Sequence, residues 1–241
     1  PINLPLDFIG IPSRRTKILF ENGTPFEESC IWNSLGPLNL GLGRYQEISC
    51  YHIPTKTLHV TDAIIAIDSS PPEIFNYDPT PLLFHSRDKG YEQLIDSLEA
   101  RKKGWARLVL FSSFLKPGKL NIPPLIDILR NSFKKGLRNK KSHFGIYPFL
   151  WDKDWEDSLS EIMGKTNPKI QIAPVLQKLI FPRSKEILCK WLEKVKTFED
   201  MEYLISAHFS APVNFTKEDC QKLINEINSE KWDKSPEDNK F

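Results

Sequence analysis

The spacing of apolar residues changes along the chain, and this change constrains the fold more than any other feature. The first third holds short segments of β-branched and apolar residues bounded by Gly or Pro, which predict strands at residues 16–20, 46–52 and 57–67. The turn at 52–56 predicts that the last two strands pair antiparallel. From residue 165 onward, strands predicted at 169–173 and 202–207 alternate with helices, which indicates an α/β chain.

Between these regions the sequence predicts a proline-rich loop and then helices. Residues 68–90 hold several prolines, which fix φ and remove N–H donors, so an extended surface loop is expected. Residues 124–138 have a helical period, and their apolar side chains share the side expected to face the core: Leu125, Ile126, Leu129, Phe133 and Leu137. Further amphipathic helices are predicted at 154–163 and 184–196, and a capping box at 216–219 opens a last one.

Composition excludes several classes of protein. Of the 241 residues, 40% are hydrophobic and 27% are charged, which is typical of a globular chain rather than a disordered one. No apolar run approaches the roughly 20 residues of a membrane-spanning helix. The four cysteines at 30, 50, 189 and 220 form no CxxC pair, so free thiols in a reducing compartment are expected rather than disulfides or a zinc knuckle.

Positive charge is concentrated in one segment. Between Arg101 and Lys141 stand twelve Lys or Arg residues and one acid, Asp127. Some of the basic residues are candidates for contact with an anionic partner, namely Arg130, Lys134, Arg138, Lys140 and Lys141. A protein or membrane surface is favoured over nucleic acid, because only Phe133 is interleaved with these charges and it lies on the apolar side. The alternative is a helix face that is merely solvated.

Motifs of nucleophilic and metal-dependent catalysis are missing from the sequence. It holds no GxSxG elbow and no P-loop, and its five histidines form neither an i, i+4 pair nor an HxH pair. Cys50 and His52 face the same way on a predicted strand. They are either a thiolate–imidazole pair, half of a metal site, or an ordinary strand end.

Two further candidates stand near the ends of predicted strands. Asp62 interrupts an apolar run, where a buried carboxylate needs a hydrogen bond, a cation or a metal. The alternative is that Asp62 caps a loop through backbone N–H groups. His208 follows the strand predicted at 202–207, where open α/β sheets gather ligands, although a structural histidine fits there as well.

Several segments together resemble one protein family. The segments are PINLPL at 1–6, LGPLNLGLGR at 35–44, HIPTKTLHVTD at 52–62, PLLFHSRD at 81–88, RKKGW at 101–105, HFGIYPF at 143–149, APVLQ at 173–177 and AHFSAP at 207–212. They resemble the uncharacterised family of photosynthetic bacteria and plastids called domain of unknown function four-three-three-six. The resemblance runs in one register from residue 1 to about 228.

That family is similar in fold to the metallo-β-lactamase superfamily, so the resemblance implies a four-layer αβ/βα sandwich with metals at the sheet edges. It also implies that Asp62 matches the aspartate that bridges two metals and that His208 matches the last metal histidine. The HxHxDH run that supplies most ligands would lie upstream of Pro1, so a chain truncated at its N-terminus is expected. A further histidine element falls around residues 41–44, where no histidine stands.

The resemblance gives one expected domain and two expected functions. The domain spans residues 1–228, with a loop and helical insertion at 68–163 and a polar tail at 229–241. The first function is a non-catalytic binding or scaffold protein of the cytoplasm or plastid stroma, without a cofactor. Its metal site would be lost, and Asp62 and His208 would bond to each other or to nearby backbone. The second is a hydrolase with one ion, zinc or another divalent metal, held by Asp62, His208 and a donor from upstream or from His52.

Overall fold

The structure is a computed structural model, which describes residues 5–40, 43–114, 118–134, 136–137, 140–163, 168–229 and 232. The strands are β1 (Cys30–Asn39), β2 (Arg44–His52), β3 (Thr57–His59), β4 (Ile64–Ile67), β5 (Leu120–Asn121), β6 (Leu150–Trp151), β7 (Lys169–Ile172), β8 (Tyr203–Ile205) and β9 (Val213–Asn214). The helices are α1 (Thr80–Ser86), α2 (Leu98–Phe114), α3 (Leu125–Ser132), α4 (Trp155–Met163), α5 (Pro174–Leu179), α6 (Lys185–Val195) and α7 (Lys217–Ile227). Short 3-10 turns lie between them, including one at Glu73–Asn76 and an irregular one at Lys140–Gly145.

A five-stranded sheet with the order β1-β2-β3-β8-β9 connects the two ends of the chain. β1 and β2 form a long antiparallel pair, and β3 pairs antiparallel with β2, which confirms the prediction from the turn at 52–56. β3 also pairs with β8 in the parallel direction, with Leu58 opposite Leu204. The first and last thirds of the chain therefore share one sheet, and the mixed α/β class is confirmed.

The prediction of one continuous strand at 57–67 is wrong. A bend at residues 61–63 divides this segment into β3 and β4, and β4 pairs antiparallel with β7 in a separate two-stranded sheet. All four residues of β4 are buried, which explains the continuous apolar run in the sequence. The bend forms because the backbone N–H groups of residues 61–63 bond to a side chain, Glu47, instead of to a neighbouring strand.

The segment predicted as an extended loop over 68–90 contains α1, so that prediction is wrong for residues 80–86. Pro81 stands in the first turn of α1, where its missing N–H costs nothing. α1 packs closely on α2, and Gly104 allows this contact: a Cβ at Gly104 would lie 1.9 Å from the carbonyl oxygen of Leu82. α2 then carries Trp105 and Val109 into the core.

The prediction of a helix at 124–138 with a buried apolar side is wrong in length and in orientation. α3 ends at Ser132. Leu137 is buried as predicted, but four of the apolar residues are exposed, namely Leu125, Ile126, Leu129 and Phe133. Ile128 faces the core instead. The strand predicted at 16–20 is also wrong, because these residues form irregular chain and a turn.

The last third agrees with the predicted alternation of strands and helices. β7, α6, β8 and α7 stand where the sequence indicates them, and the capping box is confirmed, since Asp219 accepts the backbone N–H of Thr216 at 3.0 Å. Trp232 lies in the segment expected to be a polar tail, and its side chain is buried. Within the described ranges, no helix has the length and apolar character needed to cross a membrane.

Candidate functional site

The parallel pairing of β3 and β8 brings two of the candidate residues together. Asp62 comes three residues after β3, and His208 comes three residues after β8, so both follow the carboxyl ends of neighbouring parallel strands. His208 Nε2 lies 3.0 Å from Asp62 Oδ1. Asp62 is not buried as its apolar surroundings in the sequence suggested: its side chain is 43% exposed, and that of His208 is 66% exposed. The pair thus faces solvent at the carboxyl ends of two inner strands of the sheet.

Backbone hydrogen bonds fix the two loops that carry this pair. The N–H of Ala207 donates to the carbonyl oxygen of Thr61 at 3.1 Å, and the N–H of Ser210 donates to that of Ala66 at 2.9 Å. The hydroxyl of Ser206 donates to the carbonyl oxygen of His208 at 2.8 Å. Asp62 and His208 are therefore held on connected loops.

A buried carboxylate beneath the pair was missed by the sequence analysis. Glu47 of β2 is 4% exposed, and its two oxygens accept the backbone N–H groups of Thr61, Asp62 and Ala63 at 2.9, 3.2 and 2.8 Å. The hydroxyl of Tyr45 donates to the same carboxylate at 2.7 Å. Burial and this contact raise the pKa of Tyr45, so its hydroxyl stays a donor. The loop-capping role considered for Asp62 is performed by Glu47.

His52 is not placed with Asp62 and His208. It stands opposite Thr57, at the end of β3 remote from Asp62, and its Nδ1 lies 2.7 Å from the hydroxyl of Thr55. Burial, together with the neighbouring Cys30 thiol, raises the pKa of Cys50 to about 12, which disfavours a thiolate next to His52. Within the part of the chain that the structure describes, no group of three or more His, Cys, Asp or Glu residues is arranged to hold a metal ion.

A cleft of about 530 Å³ opens beside the Asp62–His208 pair. Its walls are largely apolar and include Ile65, Phe75, Trp105, Leu108, Val175 and Phe209. The indole N–H of Trp105 donates to the carbonyl oxygen of Asp68 at 2.9 Å, which fixes the ring in the wall. Ser113 also lines the cleft, and its buried hydroxyl has no hydrogen-bond partner among the described residues. The volume is within the usual range for a small-molecule site.

Several cations of the basic segment are bound within the protein and do not form a free surface. Arg107 is 2% exposed; it lies 2.6 Å from Asp88 and its guanidinium carbon is 4.9 Å from the ring centroid of Trp155. Arg101 and Lys103 pair with Asp96 and Asp88. The charge count in the sequence therefore overstates the charge available to a partner.

Three of the five residues predicted to contact an anionic partner have described side chains, and all three are exposed. The side chain of Arg130 is 75% exposed, at 3.4 Å from Asp127, and Lys140 is exposed. Lys134 is exposed too, with its Nζ 4.3 Å from the ring centroid of Tyr91. Arg138 and the side chain of Lys141 lie outside the described residues.

A comparison with known protein families matches residues 1–225 to the Domain of unknown function (DUF4336). The chain belongs to this family. The match confirms the family resemblance inferred from segments such as HIPTKTLHVTD at 52–62. The matched residues include Asp62, His208, Glu47 and the residues that line the cleft. No curated protein and no solved structure matches the chain.

Proposed function

We propose that this DUF4336 chain is a non-catalytic binding protein whose ligand enters the cleft beside Asp62 and His208. The observation that carries the proposal is the combination of an apolar cleft of about 530 Å³ with a polar pair, at its edge, whose members bond to each other at 3.0 Å. Apolar walls with a few polar groups are typical of sites that bind small molecules. The ligand is an apolar molecule with one hydrogen-bonding end, which the exposed Asp62–His208 pair receives.

The proposal includes the scaffold. We infer a metallo-β-lactamase-like sandwich that has lost its metal site, from the position of Asp62 and His208 after two neighbouring strands. In a related protein that keeps its metal, the two side chains would be metal ligands. In this chain the hydrogen bond between Asp62 and His208 would take the place of the metal. The exposed cations Arg130, Lys134 and Lys140 provide a second binding surface, for an anionic protein or membrane.

The second candidate function is a hydrolase that uses one metal ion. It is favoured by the approach of Asp62 to His208, since side chains 3.0 Å apart need only a small rotation to reach one ion. A catalytic zinc takes three protein ligands, and the third would come from another part of the protein. The ion would lower the pKa of a bound water toward neutrality and supply the nucleophile.

Metal analysis separates the two functions. Purified protein is dialysed without chelator, and its zinc, manganese and iron are measured. The binding function predicts no stoichiometric metal, in the wild type and in the Asp62→Ala variant alike. Stoichiometric metal in the wild type that the Asp62→Ala variant lacks would contradict a binding protein that has lost its metal site and would favour the metal-dependent candidate.

A neutral dye tests the cleft directly. Nile red is titrated against the wild type, a Val175→Trp variant that narrows the cleft, and a Leu179→Trp control on the same helix, where Leu179 is 56% exposed and outside the cleft. Filling about 100 Å³ of the cleft should weaken dye binding at least about five-fold in V175W and leave it unchanged in L179W. Equal binding by all three proteins would contradict ligand binding in this cleft.

A further inference from the structure

We propose that α3 and its flanking residues dock the protein on the surface of an anionic lipid bilayer. The apolar part of this surface, the α3 face, consists of five side chains: Ile122, Leu125, Ile126, Leu129 and Phe133. The proposal does not rest on ligand binding in the cleft; it rests on the second binding surface proposed above and names its partner.

The orientation of α3 is the first line of evidence. The five side chains of the α3 face are between 44% and 72% exposed, whereas Ile128 on the other side of the helix is 7% exposed. At 3.6 residues per turn, Leu125, Leu129 and Ile126 fall within an arc of about 100°, and Phe133 directly follows the last residue of α3. An arc of that width normally faces the core of a protein, but here it faces solvent. Clustered exposed apolar side chains mark interaction sites.

The charges around the α3 face are the second line of evidence. Arg130 stands next to the apolar arc on α3, Lys134 follows the end of the helix, and Lys140 begins the turn that packs against α3. Asp127 is the one acid between Arg101 and Lys141, and Arg130 pairs with it at 3.4 Å. Positive charge thus predominates beside an apolar strip.

The combination of the two features identifies the partner. An interfacial helix inserts its apolar side chains at the boundary between headgroups and acyl chains, while Lys and Arg contact anionic headgroups. The α3 face provides the apolar side chains, and the exposed cations Arg130, Lys134 and Lys140 provide the charges. A second copy of this chain fits less well, because it would bring the same cations together across the contact.

Vesicle flotation tests the proposal with the full chain. Vesicles of phosphatidylcholine with about 30% phosphatidylserine are compared with pure phosphatidylcholine, at low salt and at about 0.3 M salt, which screens charge beyond a few ångströms. We expect the wild type to float with the anionic vesicles at low salt. Binding should fall with added salt and with removal of phosphatidylserine.

Three matched variants assign the binding to the α3 face. The double variant Leu125→Ser/Ile126→Ser should lower vesicle partitioning at least about ten-fold, through the lost transfer of apolar surface. Arg130→Glu/Lys134→Glu should lower it at least about five-fold for each charge removed. The control Leu179→Ser/Ile187→Ser changes two exposed apolar residues on α5 and α6 and should leave partitioning unchanged.

Thermal unfolding of each variant accompanies flotation, so that loss of binding is read only from folded protein. A wild type that fails to float with anionic vesicles would overturn the proposal. Equal losses in the control and in L125S/I126S would overturn it too. Sedimentation equilibrium provides the last check: a wild-type dimer that L125S/I126S dissociates, with no vesicle binding, would assign the α3 face to self-association.

Discussion

The carboxylate of Glu47 accepts the backbone N–H of Asp62 at 3.2 Å, from within the sheet beneath the candidate site. The same carboxylate accepts the N–H groups on either side of Asp62, so the backbone of this loop is bound to a buried negative charge. A buried ion is tolerated only when hydrogen bonds replace its lost hydration, and Glu47 has four donors. The position of Asp62 therefore depends on Glu47.

Replacing Glu47 should destabilise the protein strongly. Glu47→Gln replaces one carboxylate oxygen with an NH2 group. This NH2 group faces backbone N–H donors and cannot accept their hydrogen bonds. Hydrogen bonds to charged groups contribute about 1.5–3 kcal/mol each, so we expect a loss of about 3 kcal/mol in the free energy of unfolding, measured by urea denaturation. Tyr45→Phe is the matched control, since it removes only one donor to the same carboxylate and leaves no mismatched group, so it should cost about 1.5 kcal/mol. Equal losses in both variants would show that the backbone contacts contribute little.

Gly104 should not tolerate a methyl group. Ala is the better helix former by about 1 kcal/mol, so propensity alone predicts that Gly104→Ala stabilises α2. The added Cβ would lie 1.9 Å from the carbonyl oxygen of Leu82, however, and α1 must move away. We expect a net loss of about 2 kcal/mol in urea denaturation.

Gly43→Ala is the control for the glycine substitution, because nothing lies within 4 Å of its added Cβ. It should change the free energy of unfolding by less than about 0.5 kcal/mol. A stabilised Gly104→Ala variant would mean that α1 and α2 separate more easily than their close packing implies.

Local patterns in the sequence predicted the elements whose contacts are local. The turn at 52–56 and the capping box at 216–219 each require only residues a few positions apart, and both are confirmed. The helical wheel of α3 showed which apolar residues share a side. It could not show which side faces the core, because that depends on the elements that pack against α3.

Long-range contacts explain what the sequence analysis missed at the site. Glu47 binds N–H groups that are 14 to 16 positions away, so its burial cannot be inferred from the alternation within β2 alone. In the sequence, Arg107 is one more cation of a basic segment. In the structure Arg107 is buried and donates to Asp88, which lies 19 positions away along the chain. Asp62 and His208 were associated only through the family resemblance, and their approach at 3.0 Å depends on the parallel pairing of β3 with β8.

Buried His85 should make stability depend on pH. Burial lowers the pKa of His85 to about 4, and the charges of Arg107 and Arg87 act in the same direction. The unfolded chain, with an ordinary pKa of about 6.5, therefore binds a proton more readily than the folded one. The contribution of neutral His85 to the stability of the folded protein is complete above about pH 6.5, and this contribution is lost as the pH falls toward 4. Between pH 7 and pH 5 we expect a loss of about 2 kcal/mol from His85.

His85→Phe tests this assignment, because Phe149 and Phe111 already lie against the ring. Urea denaturation at pH 7 and pH 5 should show a smaller pH effect in H85F than in the wild type, by about 2 kcal/mol. Burial also lowers the pKa of His59 and of His143, so a smaller dependence of the same sign should remain in the variant. An unchanged pH effect in H85F would show that His85 is not its source.

The Asp62–His208 pair, in contrast to Glu47, should contribute little to stability. Both side chains are exposed, at 43% and 66%, and even a fully charged pair at such positions contributes only about 0–1 kcal/mol. Asp62→Ala and His208→Ala should each lower the free energy of unfolding by less than about 1 kcal/mol, well below the loss in Glu47→Gln. Urea denaturation at pH 7 of these variants and the double variant closes a mutant cycle for the pair. If Asp62→Ala costs as much as Glu47→Gln, the pair stabilises the fold; if it costs little while Nile red binding changes, its role lies in the ligand site.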